Sequence, residues 1–413
     1  MLKVWPATAA RPLGWPTGLA AMAHRDYRLL WAGSAVSHTG HWMQQVAIGW
    51  LVFDMTGSGA YLGLAGFLRS IPQLFLSVPG GIMADRTDRR RLLGACQGTT
   101  AALTLVLALL VQSGRAGIWS VLTLTFLLGC TMALTFPVRQ TLVPNTVPRE
   151  DLASAVGLNS AGNNLTRTLG PAIAGALLST VGVAICFFLQ AAGLIFAFWT
   201  SLAMRISPRE RALAPASPRQ DLVEGWRYVR ATPAVWGLLL SAAVPTALGM
   251  PYMALLPMFA RDYGIGAGGL GALMTVLGCG SIAGSVGFAA AGDFARKGPI
   301  MLLSAGVFGL TLLALAGSGS LPLALVSLFA AGCASSVYQA TNNTLLQTIV
   351  PDALRGRVIS AYNLTWGLMP LGTLPLGWLA DQAGAPLAVG VAGGLCLVFS
   401  VAAALRLPQL RAL

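Results

Sequence analysis

The chain has 413 residues, of which 55% are hydrophobic and only 9% charged, and its mean hydropathy is +0.71. A soluble globular domain carries ~25% charged residues, so a water-exposed fold is excluded. The formal net charge of +13 could suggest a nucleic-acid binder, but the placement of the cations argues against that.

A bilayer core needs ~20 apolar residues per helix. Twelve candidate spans fit, at 29–53, 60–84, 92–113, 118–138, 153–180, 183–204, 234–259, 267–290, 299–317, 321–341, 357–381 and 385–406. The expected organisation is all-α. Residues 1–28 form a cytoplasmic segment, 29–204 a six-helix bundle, 205–233 a cytoplasmic linker, 234–406 a second six-helix bundle and 407–413 a cytoplasmic tail.

In chain order, the first span carries His38 and His41 near its middle. They are three residues apart and so share a helix face. Imidazole titrates nearest physiological pH, so such a pair either carries protons or makes neutral hydrogen bonds in a polar cavity. Gln44 and Gln45 follow. The second span holds Arg69, then Pro72 and Gln73. A guanidinium in hydrocarbon costs at least ~2.5 kcal/mol, so Arg69 is expected to face a cavity or the outer gate. The span ends in a loop dense in Asp and Arg: Gly81, Asp85, Arg86, Arg89, Arg90 and Arg91. Asp85 can accept from Arg89 one turn on, or from a neighbouring helix N-terminus. Such a releasable pairing would gate the inner end; a simple topogenic anchor accounts for the arginines but not for Asp85.

The fifth span brings Asn163, Asn164 and Arg167 up to Gly170-Pro171-Ala172-Ile173-Ala174-Gly175. Arg167 either faces the cavity or bonds to backbone carbonyls near Pro171. Gln190, Tyr252, Asn363 and Trp366 add polar groups to a mostly apolar cavity, while Tyr338, Gln339, Asn342 and Asn343 suit an inner mouth. No Asp or Glu lies deep in a span; Asp54, Asp262 and Asp381 fall at outer helix ends. In the linker, 221–230 sets Leu222, Val223, Trp226 and Val229 at helical spacing. This predicts an amphipathic helix on the inner membrane surface rather than a soluble linker helix.

Of the 26 Lys and Arg, 22 fall at the termini or after even-numbered spans, with Arg139 counted there. Two, Arg115 and Arg261, lie opposite, and Arg69 and Arg167 lie within spans. This split puts both termini in the cytoplasm. The chain also repeats itself. Gly129-Cys130, Leu142 and Val147-Pro148 recur 203 residues later as Gly332-Cys333, Leu345 and Val350-Pro351. The Asp85/Arg89 pair recurs about 208 residues on as Asp293/Lys297. An even number of helices per repeat makes the halves parallel repeats. The six cysteines read as packing residues. No metal cluster, P-loop or G-x-S-x-G motif is present, so neither an enzyme nor a cofactor is expected.

The loop motif Gly81-x-x-x-Asp85-Arg86-x-x-Arg89-Arg90 resembles motif A of the major facilitator superfamily. The stretches 24–31, 37–43, 165–171, 224–230 and 350–358 are similar to the branch of bacterial efflux carriers related to enterobactin exporters and macrolide efflux pumps. Gly170-Pro171 with Gly175 resembles the end of the antiporter motif, with its final Gly pair split. The resemblance implies alternating access by two rocking bundles, usually driven by proton antiport. The expectation is a monomeric bacterial inner-membrane carrier that exports drug-like or siderophore-like molecules in exchange for protons. Uptake by the same fold is the alternative.

Overall fold

The computed structural model describes residues 17–205, 226–292 and 296–413. Among them there is helix and no strand. The N-terminal half consists of α1 (Arg25–Thr56), α2 (Gly59–Arg86), α3 (Arg89–Gln112), α4 (Ile118–Leu142), α5 (Leu152–Thr180) and α6 (Val183–Ala203). A short helix α7 (226–231) leads into the C-terminal half. There α8 (Pro233–Val244), α9 (Tyr252–Asp262), α10 (Gly266–Ala290), α11 (Lys297–Ala316) and α12 (Leu321–Ile349) are followed by α13 (Asp352–Leu364), α14 (Pro370–Arg406) and α15 (Pro408–Ala412). Eight helical stretches of the described residues are long and apolar enough to cross a membrane. Large apolar side chains such as Phe75, Trp119, Trp199, Leu303 and Trp378 stand on the outside of the bundles, where lipid rather than water is the suitable neighbour.

Two stretches expected as continuous helices are broken. The 234–259 stretch becomes α8, a π-helical turn at Pro245–Gly249, and α9. Pro245 and Pro251 lack an N–H, and each ring crowds the preceding turn, so a regular ladder cannot run through them. The 357–381 stretch begins in α13, tightens into a 3-10 turn at Thr365–Leu368 and resumes at Pro370. Within α14 the chain reverses at Gly384, whose φ of +84° is a conformation that glycine adopts without strain.

The halves repeat each other in packing. In the first, α2 lies on α4 and α3 on α6; in the second, α10 lies on α12 and α11 on α14. Gly129 of α4 permits the first crossing, because a Cβ there would stand 2.3 Å from the carbonyl oxygen of Arg69. Gly332 of α12 does the same against Leu277, at 2.2 Å. The halves meet through α2 on α14 and α5 on α10, two contacts that the repeat exchanges.

These contacts are tightest at the end of the molecule away from the chain termini. A Cβ on Gly271 would stand 2.3 Å from the Cα of Gly175, and one on Gly63 would stand 2.4 Å from the carbonyl oxygen of Thr373. Asp381 then joins α14 to the start of α2. Its carboxylate accepts from the Gly59 amide, from the Ala60 amide at 3.1 Å and from the Ser58 hydroxyl at 2.5 Å. These amides have no partner within their own helix, and a helix N-terminus favours an anion.

Candidate transport site

The cavity lies inside the N-terminal half rather than between the halves. It is partly open and is lined by residues of α1, α2, α3, α4 and α6. His38 and His41 both face it from α1, as their spacing requires. Arg69 comes from α2, Gln97 and Thr100 from α3, Gln190 from α6, and Thr131, Thr135 and Arg139 from α4. Leu128, Met132 and Leu194 supply its apolar wall.

Each histidine meets an arginine. Arg69 Nη2 lies 3.0 Å from Nε2 and 3.3 Å from Nδ1 of His41. Arg139 Nη1 lies 3.2 Å from Nδ1 of His38 and also meets its Nε2. A guanidinium only donates, so the ring nitrogen it addresses must present a lone pair. Both imidazoles therefore act here as neutral acceptors. The remaining polar side chains are held by neighbours. The Gln44 amide donates to Thr104 Oγ1 at 3.3 Å, and Gln97 Oε1 accepts from the Ser201 hydroxyl at 2.8 Å. Gln190 differs: it is 2% exposed, and its Oε1 has no partner among the described residues.

Arg139 corrects the sequence reading, which ended the fourth span at residue 138 and counted this cation in the following loop. The helix runs on to Leu142, which keeps Arg139 on the face that carries Leu128, Thr131, Met132 and Thr135. Gln97, Thr100 and Gln44 were likewise not singled out as cavity residues; Gln44 lines it, and the neighbouring Gln45 does not. Gln73, Asn164, Tyr252, Asn363 and Trp366 are not part of this lining. Asn163 lines a smaller adjoining hollow with Trp31 and His38.

Arg167 lies elsewhere, with its guanidinium carbon 5.5 Å from the centre of the Trp42 ring and its buried Nε without a partner. Tyr252 of the other half is near enough to act on it electrostatically. Gly170 fits against Trp42 and the carbonyl of Thr39, while Gly175 sits in the contact with α10. Tyr338 and Asn342 are buried and tie α12 to α8, donating to the carbonyls of Ser241 at 2.6 Å and Leu238 at 3.0 Å.

In the loop expected to gate the inner end, the surroundings of Gly81, the side chains of Asp85 and Arg86, and residue Asp293 lie outside the described residues. Asp88 caps α3, accepting from the Arg90 amide at 2.9 Å and the Arg91 amide at 3.4 Å. Arg90 donates to the carbonyl of Met204 at 2.6 Å, just past α6, where a cation suits the helix C-terminus. The Lys297 amide donates to the carbonyl of Leu413 at 3.0 Å. Of the linker helix, only 226–231 is described; there Trp226 is exposed, with Arg230 over its ring at 4.9 Å.

The repeat makes the charge one-sided. The offset relating Asp85 to Asp293 carries Arg69 to Leu277, and the one relating Gly129 to Gly332 carries Arg139 to Asn342. Two parallel helical repeats, the first of which holds a polar cavity, define a membrane carrier of the major facilitator type. A family model described as transmembrane secretion effector matches residues 16–413, and the chain belongs to that family. It is 26% identical to a staphyloferrin A transporter of Staphylococcus aureus, covering 86% of this chain and 90% of the relative. It is 28% identical to the enterobactin exporter of Escherichia coli, covering 94% and 93%, and 26% identical to macrolide efflux protein A of Streptococcus pyogenes, covering 86% and 89%. Its fold is similar to that of the nucleoside transporter NupG, with a TM-score of 0.72 at 14% identity covering 92% and 99% of the two chains. It is also similar to a peptide transporter, POT, in complex with sulfate, with a TM-score of 0.76 at 14% identity covering 94% and 95%.

Proposed function

We propose that this chain exports small organic molecules across a bacterial inner membrane by alternating access, with twelve spans and both termini in the cytoplasm. The observation that carries the reading is a polar, charged cavity within an otherwise apolar helical bundle. Isolated intramembrane charge is costly and is kept where a pathway needs it. The Asp381 latch and the glycine contacts join the halves at the far end, which is the outer end under this topology. The named activities of the exporter relatives support outward transport over uptake.

Proton exchange is the coupling that the family resemblance implies, and His38 and His41 are its candidate carriers. A ring nitrogen that accepts from Arg139 or Arg69 can take a proton only when the guanidinium leaves. Proton loading and the Arg–His contacts therefore alternate. Exchange on these rings also demands that the cargo leave when a ring is protonated, which suits a neutral or cationic cargo. The test is the double variant His38→Gln, His41→Gln in everted vesicles with an imposed pH gradient. Proton exchange on these rings predicts that uphill accumulation is lost while downhill flux persists. Undiminished uphill transport removes the imidazoles from the coupling and leaves the export reading in place.

A further inference from the structure

We infer that the cargo of this cavity is a small organic polyanion, drawn outward by the membrane potential. The inference rests on the export part of the proposed function and replaces its proton exchange with another driving force.

Among the fourteen lining residues are two arginines and two histidines, and no carboxylate. The ion pairs among the described residues engage none of Arg69, Arg139 or Arg167. Arg69 and Arg139 bond instead to imidazoles, which accept a hydrogen bond but leave the positive charge uncompensated. Each guanidinium has five N–H donors in a planar fork that matches a carboxylate. Both line the same cavity, so they belong to one site. Buried cations are ordinarily paired, and no ion pair among the described residues reaches these two, so an anionic cargo is the fitting partner. The apolar wall of Leu128, Met132 and Leu194 suits an organic body rather than an inorganic ion. The unpartnered Gln190 Oε1 adds an acceptor for a hydroxyl or other donor on that body.

Charge also decides the driving force. A proton on His38 or His41 makes a positive cavity more positive, which strengthens the hold on an anion instead of expelling it. Exchange against protons on these rings thus has the wrong sign for this cargo. A cell that is negative inside supplies the force directly, since each negative charge that leaves supports about a fiftyfold accumulation per ~100 mV.

The test begins with the purified full chain in uncharged detergent. Benzene-1,3,5-tricarboxylate, its uncharged trimethyl ester and the cation tetraphenylphosphonium are compared by thermal stabilisation. The tricarboxylate should stabilise and the ester should not. Arg69→Gln and Arg139→Gln should each weaken its binding about tenfold or more. Arg139→Lys should recover part of the loss, and Arg115→Gln, outside the cavity, should change nothing. If Arg69→Gln fails to fold, the Lys variant and the salt dependence of the unmodified chain carry the same reading.

Everted vesicles then receive labelled tricarboxylate. A lumen-positive potassium diffusion potential without a pH gradient should drive accumulation, and a pH gradient alone should not. Stabilisation by the cation or the ester in place of the tricarboxylate overturns the inference. So does accumulation that follows the pH gradient and ignores the potential. Transport of a cationic or neutral drug with unchanged rates in both Gln variants would sink the anion inference while leaving export standing. Failure to move any of the three probes would count against the export reading itself.

Discussion

Arg139 lies one residue beyond the point where hydropathy ends its helix, and that residue changes the chemistry of the site. Position 139 shares a helical face with 128, 131, 132 and 135, so the stripe was present in the sequence. It was obscured because a cation near a membrane boundary is normally topological. His38 and His41 were legible because titratable groups in mid-span are rare; their arginine partners were not, because pairings across helices have no sequence spacing. Asp88 offers a test at this scale. Replacing it with Ala removes the cap of α3 and should cost about 1 kcal/mol of stability, whereas Asp88→Asn should retain most of it. Thermal unfolding of the two variants, read side by side, checks this. Equal midpoints would mean that the cap contributes nothing measurable.

At the scale of the element, the described helices that fall short of an ideal membrane span are instructive. Neither α1 nor α5 is among the eight stretches apolar enough to cross. They carry His38, His41, Gln44 and Gln45 in one case, and Asn163, Asn164 and Arg167 in the other. Apart from Gln44, these polar residues are those the sequence reading proposed for the pathway. The breaks in α8–α9 and α13–α14 were written in Pro245, Pro251 and Pro370, yet proline is so common in membrane helices that it predicts no particular kink. Glycine was equally ambiguous until the crossings were seen. The contact of α5 with α10 has room for hydrogen at Gly271 and no room for a side chain. Gly271→Leu should therefore prevent the far end from closing. A single cysteine at position 373, buried on α14 in the closed contact, should then react with a membrane-impermeant maleimide applied from that end. Continued protection would mean that the contact tolerates the side chain.

For the whole molecule, the two-fold repeat was the most legible property, because an offset of 203 residues is visible without any structural knowledge. The proposed topology rests on it and on the distribution of cations. Cysteines placed at Arg90 and at Arg227 should be labelled from the same membrane face, and labelling from opposite faces would refute the arrangement. Asp381 holds the two halves together with one carboxylate and three donors. Asp381→Asn loses the charge and one acceptor, and should raise the labelling rate at position 373 in the same assay without altering protein yield. An unchanged rate would assign closure to the glycine contacts alone.

The replacement of Arg69 and Arg139 by Leu277 and Asn342 at the repeat-related positions has a consequence for inheritance and engineering. If the proposed cavity recognises cargo, a duplicated gene has kept that chemistry in one copy, and the other copy is free to diverge. Substitutions that retune what is carried should therefore collect upstream of the linker, and changes downstream should alter speed. A chimera joining this chain's first half to the second half of a drug-exporting relative should keep this chain's cargo.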